Sequence, residues 1–169
     1  MKETARGFPG LAVLFCLIVT GLANAQTTAK VRERVNTVIT ETLKRGEFTT
    51  REGVRVTTRI PPSSEDVAEI KSYGDRAVLP VEEHFSSENA FEYETAMRLM
   101  GALGGKRIIE PFKKVILHDR SARKREYALR WITQGPWDQA AKVISQAAEN
   151  DPDANVRKLA QELLSGHGP

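Results

Sequence analysis

Hydrophobic positions in the second half of the chain recur at intervals of about 32 residues, a period typical of repeat proteins. Ala96, Ala128 and Ala160 are evenly spaced, and the positions around each alanine follow helical spacing. The three corresponding sets are Glu92, Thr95, Ala96, Leu99 and Met100; Lys124, Tyr127, Ala128, Trp131 and Ile132; and Val156, Leu159, Ala160, Leu163 and Leu164. Side chains at this spacing share one face of a helix, so the pattern predicts three equivalent amphipathic helices.

A second series of predicted helices alternates with the first. Its apolar positions follow the order i, i+1, i+4, i+7 and i+8, starting at Ala77, Ile108 and Ala140. Breaks within pairs fall at Gly74, Gly104-Gly105 and Gly135-Pro136, and breaks between pairs fall at Ser87, residues 119–121 and Asp151-Pro152. Helical pairs of this length bury their apolar faces only by stacking on one another. The sequence therefore predicts an all-α fold, a short α-solenoid of about three helical hairpins over residues 64–165, with a tail at 166–169.

Two segments of this region resemble HEAT repeats. DPDANVRKLAQELL (151–164) resembles the loop and first helix of such a repeat, and GGKRIIEPFKKVILHD (104–119) resembles its second helix. The nearest type is the short bacterial, PBS-lyase HEAT-like repeat, and the resemblance covers roughly residues 64–164. It implies that arginines near the start of first helices, here Arg123, Arg125 and Arg157, bond loop carboxylates within the stack. The Asp-then-Val-Arg pattern is complete only in the last repeat.

The segment before the repeats, residues 26–63, has a different pattern. Residues 28–45 place Val31, Val35, Val38, Ile39 and Leu43 between charged residues, which predicts an amphipathic helix that caps the first repeat. Residues 47–60 alternate in polarity, which predicts a short β-hairpin turning at 51–53, or an extended segment. A lone two-stranded hairpin is marginally stable in water. It must lean on the repeats or be completed by a partner strand, and we favour leaning.

The first 25 residues read as a secretory signal peptide. Lys2 and Arg6 precede an apolar run over residues 11–19, which ends in the small-residue triplet Ala23-Asn24-Ala25. A run this short does not match the ~20 apolar residues of a membrane span, so we expect no permanent membrane anchor. Cleavage near Ala25-Gln26 would give a secreted or periplasmic protein. The single cysteine, Cys16, would leave with the signal, which suits an oxidising compartment.

No catalytic, metal or cofactor motif is found. Residues 104–107 lack the earlier glycine and the Ser/Thr of a phosphate-binding loop, and no Gly-x-Ser-x-Gly elbow occurs. One cysteine and three histidines do not supply a usual four-ligand zinc site. His84 and Trp131 occupy core positions of the repeat, which favours packing over ligand binding, while Trp137 begins a predicted helix and is the better candidate for exposure.

Charge changes the picture because it is distributed in blocks. The formal net charge is only +3, yet residues 65–94 total −7 and residues 106–130 total +6. Two interpretations remain: the blocks pair loosely between repeats on a solvated surface, which we favour, or the basic block binds an acidic partner surface or an anionic polymer. The candidate binding residues are Lys106, Arg107, Lys113, Lys114, Arg120, Arg123, Lys124 and Arg130.

These observations predict an exported, non-catalytic protein-interaction module that acts as a scaffold or adaptor. A protein partner with an acidic surface is expected, whereas nucleic acid is not, because the chain is exported and no aromatic residues interleave the arginines. One alternative is an accessory or lyase-like protein that assists an enzyme or cofactor attachment. Another is a self-associating structural module in which the acidic block of one molecule meets the basic block of a second.

Overall fold

The structure, a computed structural model, describes residues 9–166, with side chains from residue 26 onward except that of Phe48. The predicted signal peptide therefore lies outside the residues whose side chains are described, as does most of the tail. The elements are α1 (Pro9–Gly46), β1 (Glu47–Thr49), β2 (Arg55–Thr57), α2 (Ser64–Ser72), α3 (Val78–Glu82), α4 (Ala90–Leu103), α5 (Ile109–His118), α6 (Ala122–Ile132), α7 (Trp137–Asn150) and α8 (Ala154–Gly166). Among the described residues, no helix is both long and apolar enough to cross a membrane.

The prediction of a mostly helical protein is confirmed, and the helices begin and end near the predicted breaks. Side chains of Ser63, Asn89 and Ser121 cap α2, α4 and α6 by accepting a backbone N–H of the first turn. Gly104 and Gly105 both have positive φ, 63° and 69°, which lets the chain reverse between α4 and α5. The local sequence alone thus determines where these helices begin and where the chain reverses between α4 and α5.

The second element of the first pair differs from the single helix that its apolar spacing predicts. Residues 74–86 form a 3₁₀ turn (Gly74–Ala77), the five-residue α3, and a second 3₁₀ turn (Glu83–Ser86). Pro80 is the third residue of α3, where a missing N–H removes no intrahelical bond. The segment still buries its predicted apolar face, because Ala77, Val81 and Phe85 are buried.

The helices form one continuous core in which alternate helices are neighbours. Helix α4 contacts both α2 and α6, α6 contacts α8, and α5 contacts α7, while α1 packs on α3 and α4. The predicted apolar positions fill this core, including Val35 and Val38 of α1, Phe112 and Ile116 of α5, and Ile144 of α7. Phe85 and Phe112 stack with ring centroids 5.7 Å apart and join successive pairs.

Trp131 and His84 occupy predicted core positions of the repeat, but both are less buried than the core residues around them. Trp131 is only half-buried, and its ring covers Gly101, where a Cβ would overlap it. His84 is largely buried, and its Nδ1 and Nε2 lie 2.7 Å from Glu92 Oε1 and 2.9 Å from Asn36 Oδ1. Both side chains are thus accounted for by packing or hydrogen bonds, and Trp137 is also half-buried.

Residues 47–57 form a two-stranded antiparallel hairpin with Glu47 opposite Thr57, and the chain turns at residues 51–53. The strands are shorter than the alternating pattern over 47–60 suggested. Val54 and Ile60 lie outside them and are 57% and 39% exposed, so alternation did not indicate burial here. The hairpin nevertheless contacts the helices, since Arg59 after β2 bonds Glu94 of α4.

The loops between pairs share one hydrogen-bond pattern at equivalent positions of the sequence repeat. Side-chain oxygens of Ser87, Asp119 and Asp151 each accept the backbone N–H two residues later. Arg125 Nη1 donates to the carbonyls of residues 119 and 120, and Arg157 Nη1 donates to those of residues 151 and 152. The same local geometry is therefore built after α5 and after α7.

The arginines expected to bond loop carboxylates behave in three different ways. Arg125 does so, because it forms a buried bidentate pair with Asp151 in which both N···O distances are 2.7 Å. Arg157 bonds the loop carbonyls, and Arg123 bonds Glu94, which belongs to α4 and not to a loop. The Arg125–Asp151 pair is thus the strongest charged link between α6 and a loop.

We predict that Asp151→Ala lowers the free energy of unfolding by about 3–5 kcal/mol, because it leaves the Arg125 guanidinium buried without its counter-charge. Burial, the largest single influence, raises the pKa of Asp151, but the hydrogen bonds from Arg125 and the Asp153 N–H and the charges of Arg125 and Arg157 together outweigh it, so the pKa lies below its usual range. The loss should therefore be complete above the ordinary Asp pKa of about 3.9 and should shrink as pH falls through the lowered pKa.

Urea denaturation across this pH range measures the effect. Lys158→Met is the control, because Lys158 is exposed and should leave stability close to that of the wild type. If the free energy of unfolding of Asp151→Ala at neutral pH equals that of the wild type, the Arg125–Asp151 pair does not hold the loops.

Candidate interaction surface

The eight basic residues predicted to bind a partner lie on different sides of the molecule. Lys106 and Arg107 precede α5, and Arg120 follows it, so these residues lie at opposite ends of a helix about 15 Å long. Lys113 and Lys114 lie on α5 itself, whereas Arg123 and Arg130 lie on α6. The structure brings together only subsets of the predicted residues.

The prediction is wrong for Lys124, which is buried and is not part of any exposed surface. Its side chain is only 8% exposed. Lys124 Nζ donates to the Phe85 carbonyl at 2.9 Å and lies 5.0 Å from the centre of the Tyr93 ring. Lys124 occupies the slot that holds Val156 one repeat later, so its alkyl stem fills a core position while its amine caps a carbonyl.

Several of the remaining basic residues pair with the acidic block. Arg107 bonds Asp75 at 3.0 Å and Lys114 bonds Glu82 at 2.8 Å, so the members of each pair are 32 residues apart, one residue beyond the equivalent positions of the series that starts at Ala77 and Ile108. Arg123 bonds Glu94 at 3.0 Å, and Lys113 bonds Glu110 within α5. Among the described residues, Lys106, Arg120 and Arg130 make no ion pair. The favoured interpretation of the charge blocks, pairing between repeats, therefore accounts for much of the opposite charge.

A different set of residues forms the most distinctive exposed feature. Helices α4 and α6 lie side by side, and their outward stripes alternate aromatic and arginine side chains at helical spacing. Phe91 and Arg98 lie on the α4 stripe, and Arg123, Tyr127 and Arg130 lie on the α6 stripe. We call these residues, with Arg59 and Trp131, the arginine–aromatic face. All are half-buried or exposed.

Guanidinium groups and rings are already in contact on this face. The Arg59 guanidinium lies 5.9 Å from the Phe91 ring centre, and that of Arg98 lies 5.9 Å from the Trp131 ring centre. Tyr127 and Trp131 are tilted neighbours with centroids 6.5 Å apart. Such contacts hold arginine side chains over the rings in defined orientations. The face therefore presents positively charged groups that are ordered before any ligand binds.

Glu94 lies at the floor of a narrow cleft beside this face. The cleft lies among α1, the segment after β2, α4 and α6, and its volume of ≈ 20 Å³ gives room for about one water molecule. Glu94 Oε1 accepts guanidinium hydrogen bonds from Arg59 Nη2 at 3.1 Å and from Arg123 Nη2 at 3.0 Å, and Oε2 is ion-paired with Arg59 Nε at 2.8 Å. Glu94 therefore ties the end of the hairpin to α6.

Burial determines the electrostatics of Glu94. Its side chain is only 6% exposed, whereas Arg59 and Arg123 are more than half exposed and screened by solvent. Burial raises the pKa of Glu94 more than Arg59 and Arg98 lower it, so the pKa lies above the usual glutamate range. The ionised carboxylate is stabilised by its partners, and yet it remains costly to bury.

The arrangement can bind anionic groups. Both oxygens of Glu94 are occupied by arginines, and no group of three or more possible metal-ligating residues occurs in the described part of the chain. Arginine forks offer paired N–H donors that match carboxylates, and aromatic rings offer flat apolar area. The chemistry available here is recognition of an anionic, partly apolar surface.

Sequence reasoning found Arg123 and Arg130 but missed Arg59, Phe91, Glu94, Arg98 and Tyr127. A signal existed for part of this set, because Phe91 and Arg98 come one repeat before Arg123 and Arg130 and so share their stripe. The contribution of Arg59 could not be read from spacing, because it depends on how the hairpin leans on α4.

We predict that the Glu94 carboxyl titrates above the ordinary glutamate pKa of about 4.3. Because the folded pKa is raised, the folded protein binds this proton more tightly than the unfolded chain does. The stability of the wild type relative to Glu94→Gln should therefore fall as pH rises through the raised pKa.

NMR titration of the Glu94 side chain gives the midpoint directly. Arg59→Gln should raise it further, whereas Arg55→Gln, a change on the same hairpin away from Glu94, should leave it unchanged. A midpoint below the ordinary value would contradict the balance of burial and charge described above.

No protein-family model matches this sequence, and no curated protein matches it. The resemblance of residues 104–119 and 151–164 to HEAT repeats therefore rests on the sequence pattern alone. Any function must likewise be inferred from the arrangement of these surfaces.

Proposed function

We propose that this protein is an exported, non-catalytic protein-interaction module built as a short α-solenoid of HEAT-like helical pairs. The observation that carries the architecture is the contact between residues one repeat apart, Asp75 with Arg107 and Glu82 with Lys114. In a stack of repeats, positions about one repeat length apart lie side by side. The matching loop bonds at residues 87, 119 and 151 support the same arrangement over residues 64–165.

The expected partner is a protein with an acidic surface. Lys106, Arg120 and Arg130 make no ion pair among the described residues, and the cations paired at Lys113, Lys114 and Arg123 are exposed. Exposed pairs contribute little energy, so a better-placed partner carboxylate can replace the internal one. Clustered positive charge also raises the rate of encounter with an acidic surface.

Export rests on the signal-peptide pattern of residues 1–25, and the location is either the periplasm or the outside of the cell. The part that would remain, residues 26–169, contains no cysteine, so its stability owes nothing to disulfides. Hydrogen-bonded loops and buried pairs such as Arg125–Asp151 take that role instead.

The interaction module is preferred to the self-associating alternative for a reason of charge. Self-association through opposite blocks needs free carboxylates in residues 65–94. Most of them already have partners within the chain: Asp66 and Glu69 with Arg34, Asp75 with Arg107, Glu82 with Lys114, Glu83 with Arg32, Glu92 with His84, and Glu94 with Arg59 and Arg123. No specific observation favours the accessory or lyase-like alternative.

Affinity capture from the exported fraction of the native cell tests this function. The immobilised protein should retain a partner. A variant in which four exposed basic residues, Lys113, Lys114, Arg120 and Arg130, are changed to Gln should lose that partner. A matched control changes four other lysines to Gln, at Lys30, Lys44, Lys71 and Lys142. Circular dichroism verifies that both variants stay helical. Equal retention by the two variants, or no retention by the wild type above bare resin, would refute the proposal.

A further inference from the structure

We propose that the arginine–aromatic face binds a short, extended, acidic peptide segment of a partner protein. The inference rests on the proposed interaction function and assigns it a surface and a ligand chemistry. It is carried by the juxtaposition of ordered guanidinium groups and half-buried rings on two neighbouring helices.

The positions of the face form a regular array. On α4, Phe91 and Arg98 are two turns apart, and on α6 the same slots hold Arg123 and Arg130, with Tyr127 between them. Equivalent slots lie side by side because α4 and α6 are packed neighbours about 8–10 Å apart. Phe91 therefore lies across from Arg123, and Arg98 lies across from Arg130, with Tyr127 between the two α6 arginines.

Charge complementarity selects an acidic occupant. Four arginines, at positions 59, 98, 123 and 130, lie on or beside the face. The carboxylate that two of them share, Glu94, is buried with both oxygens engaged, and Glu126 on α6 is the other nearby acid. The surface thus keeps an excess of positive charge that is presented as planar N–H forks. Carboxylates accept such forks in bidentate geometry.

The rings select a protein segment over a bare charge. Tyr, Trp and Arg are the residues that most often dominate the energy of protein interfaces. Arg98 rests on Trp131, and Arg59 rests on Phe91, so these long side chains lose less freedom when they bind. Apolar or aromatic side chains of a peptide can cover the exposed parts of Tyr127 and Trp131 while neighbouring acids meet the arginines.

The size of the face fits an extended chain and excludes an enclosed small molecule. The cleft beside Glu94 has room for about one water, so this cleft encloses no small-molecule ligand. The α6 stripe from Arg123 to Arg130 is about 10 Å long at 1.5 Å per residue. An extended peptide advances about 3.3 Å per residue and alternates its side chains, so a segment of about four to six residues spans the stripes.

Fluorescence anisotropy with a labelled acidic peptide tests this inference on the full-length protein. The probe is Glu-Asp-Glu-Tyr-Asp-Glu carrying fluorescein, and the comparison peptide replaces each acid with Lys. The acidic probe should bind the wild type, and the Lys peptide should not. Arg98→Gln/Arg130→Gln should weaken binding by at least about tenfold, the scale expected for loss of interface arginines.

Matched variants separate a built surface from general attraction. Lys71→Gln/Lys142→Gln removes the same charge elsewhere and should leave the affinity within about twofold, since remote exposed charges contribute little to a specific contact. Tyr127→Ala should weaken binding without any change in charge. Thermal unfolding of each variant verifies that the fold is kept.

Three outcomes would overturn the inference. Equal weakening by the two double variants would mean non-specific charge attraction, and unchanged binding in Arg98→Gln/Arg130→Gln would place the peptide elsewhere. Tighter binding of heparin or a single-stranded oligonucleotide, with the same dependence on Arg98 and Arg130, would assign the face to a polyanion. If native partner capture succeeds while the peptide fails, the interaction function stands and only this surface is refuted.

Discussion

The packing of successive helical pairs depends on a fixed register in which residues one repeat apart become neighbours. The loops between pairs set this register, because each uses the same side-chain cap and, in the last two, an arginine that bonds the loop carbonyls. The buried Arg125–Asp151 pair ties α6 to the loop that follows the next helix. Once the register is fixed, apolar faces meet apolar faces, and Asp75 and Glu82 meet Arg107 and Lys114 of the next pair.

The same register explains how a nearly neutral chain carries two strongly charged blocks. Residues 65–94 and 106–130 are consecutive along the chain of helical pairs, so their opposite charges lie next to one another and pair as Asp75–Arg107 and Glu82–Lys114. Such exposed pairs add little stability, but they prevent like charges from accumulating between neighbouring helices. Of the residues in the basic block that make no ion pair within the described part of the chain, Lys106 and Arg120 lie at the two ends of α5 and Arg130 lies on α6.

Sequence periodicity was sufficient to predict the helices and most of the core residues. Phe112, Ile116, Ile144 and Val156 could be assigned because helical spacing alone decides which face is buried. Periodicity failed to predict the burial of Lys124, because the alkyl stem of this side chain fills the core while its amine donates to the Phe85 carbonyl. It also failed for Arg59 and Glu94, since their meeting depends on the path of a hairpin whose alternating pattern gave no guide to burial.

Crosslinking at four positions tests the register most directly. In a Cys16→Ser background, cysteine pairs would be placed at the matched positions 75 and 107 or 82 and 114, and at the swapped positions 75 and 114 or 82 and 107. The register predicts that a short bis-maleimide joins both matched pairs within one molecule and neither swapped pair, as read by peptide mass spectrometry. Equal crosslinking of matched and swapped pairs would contradict this register.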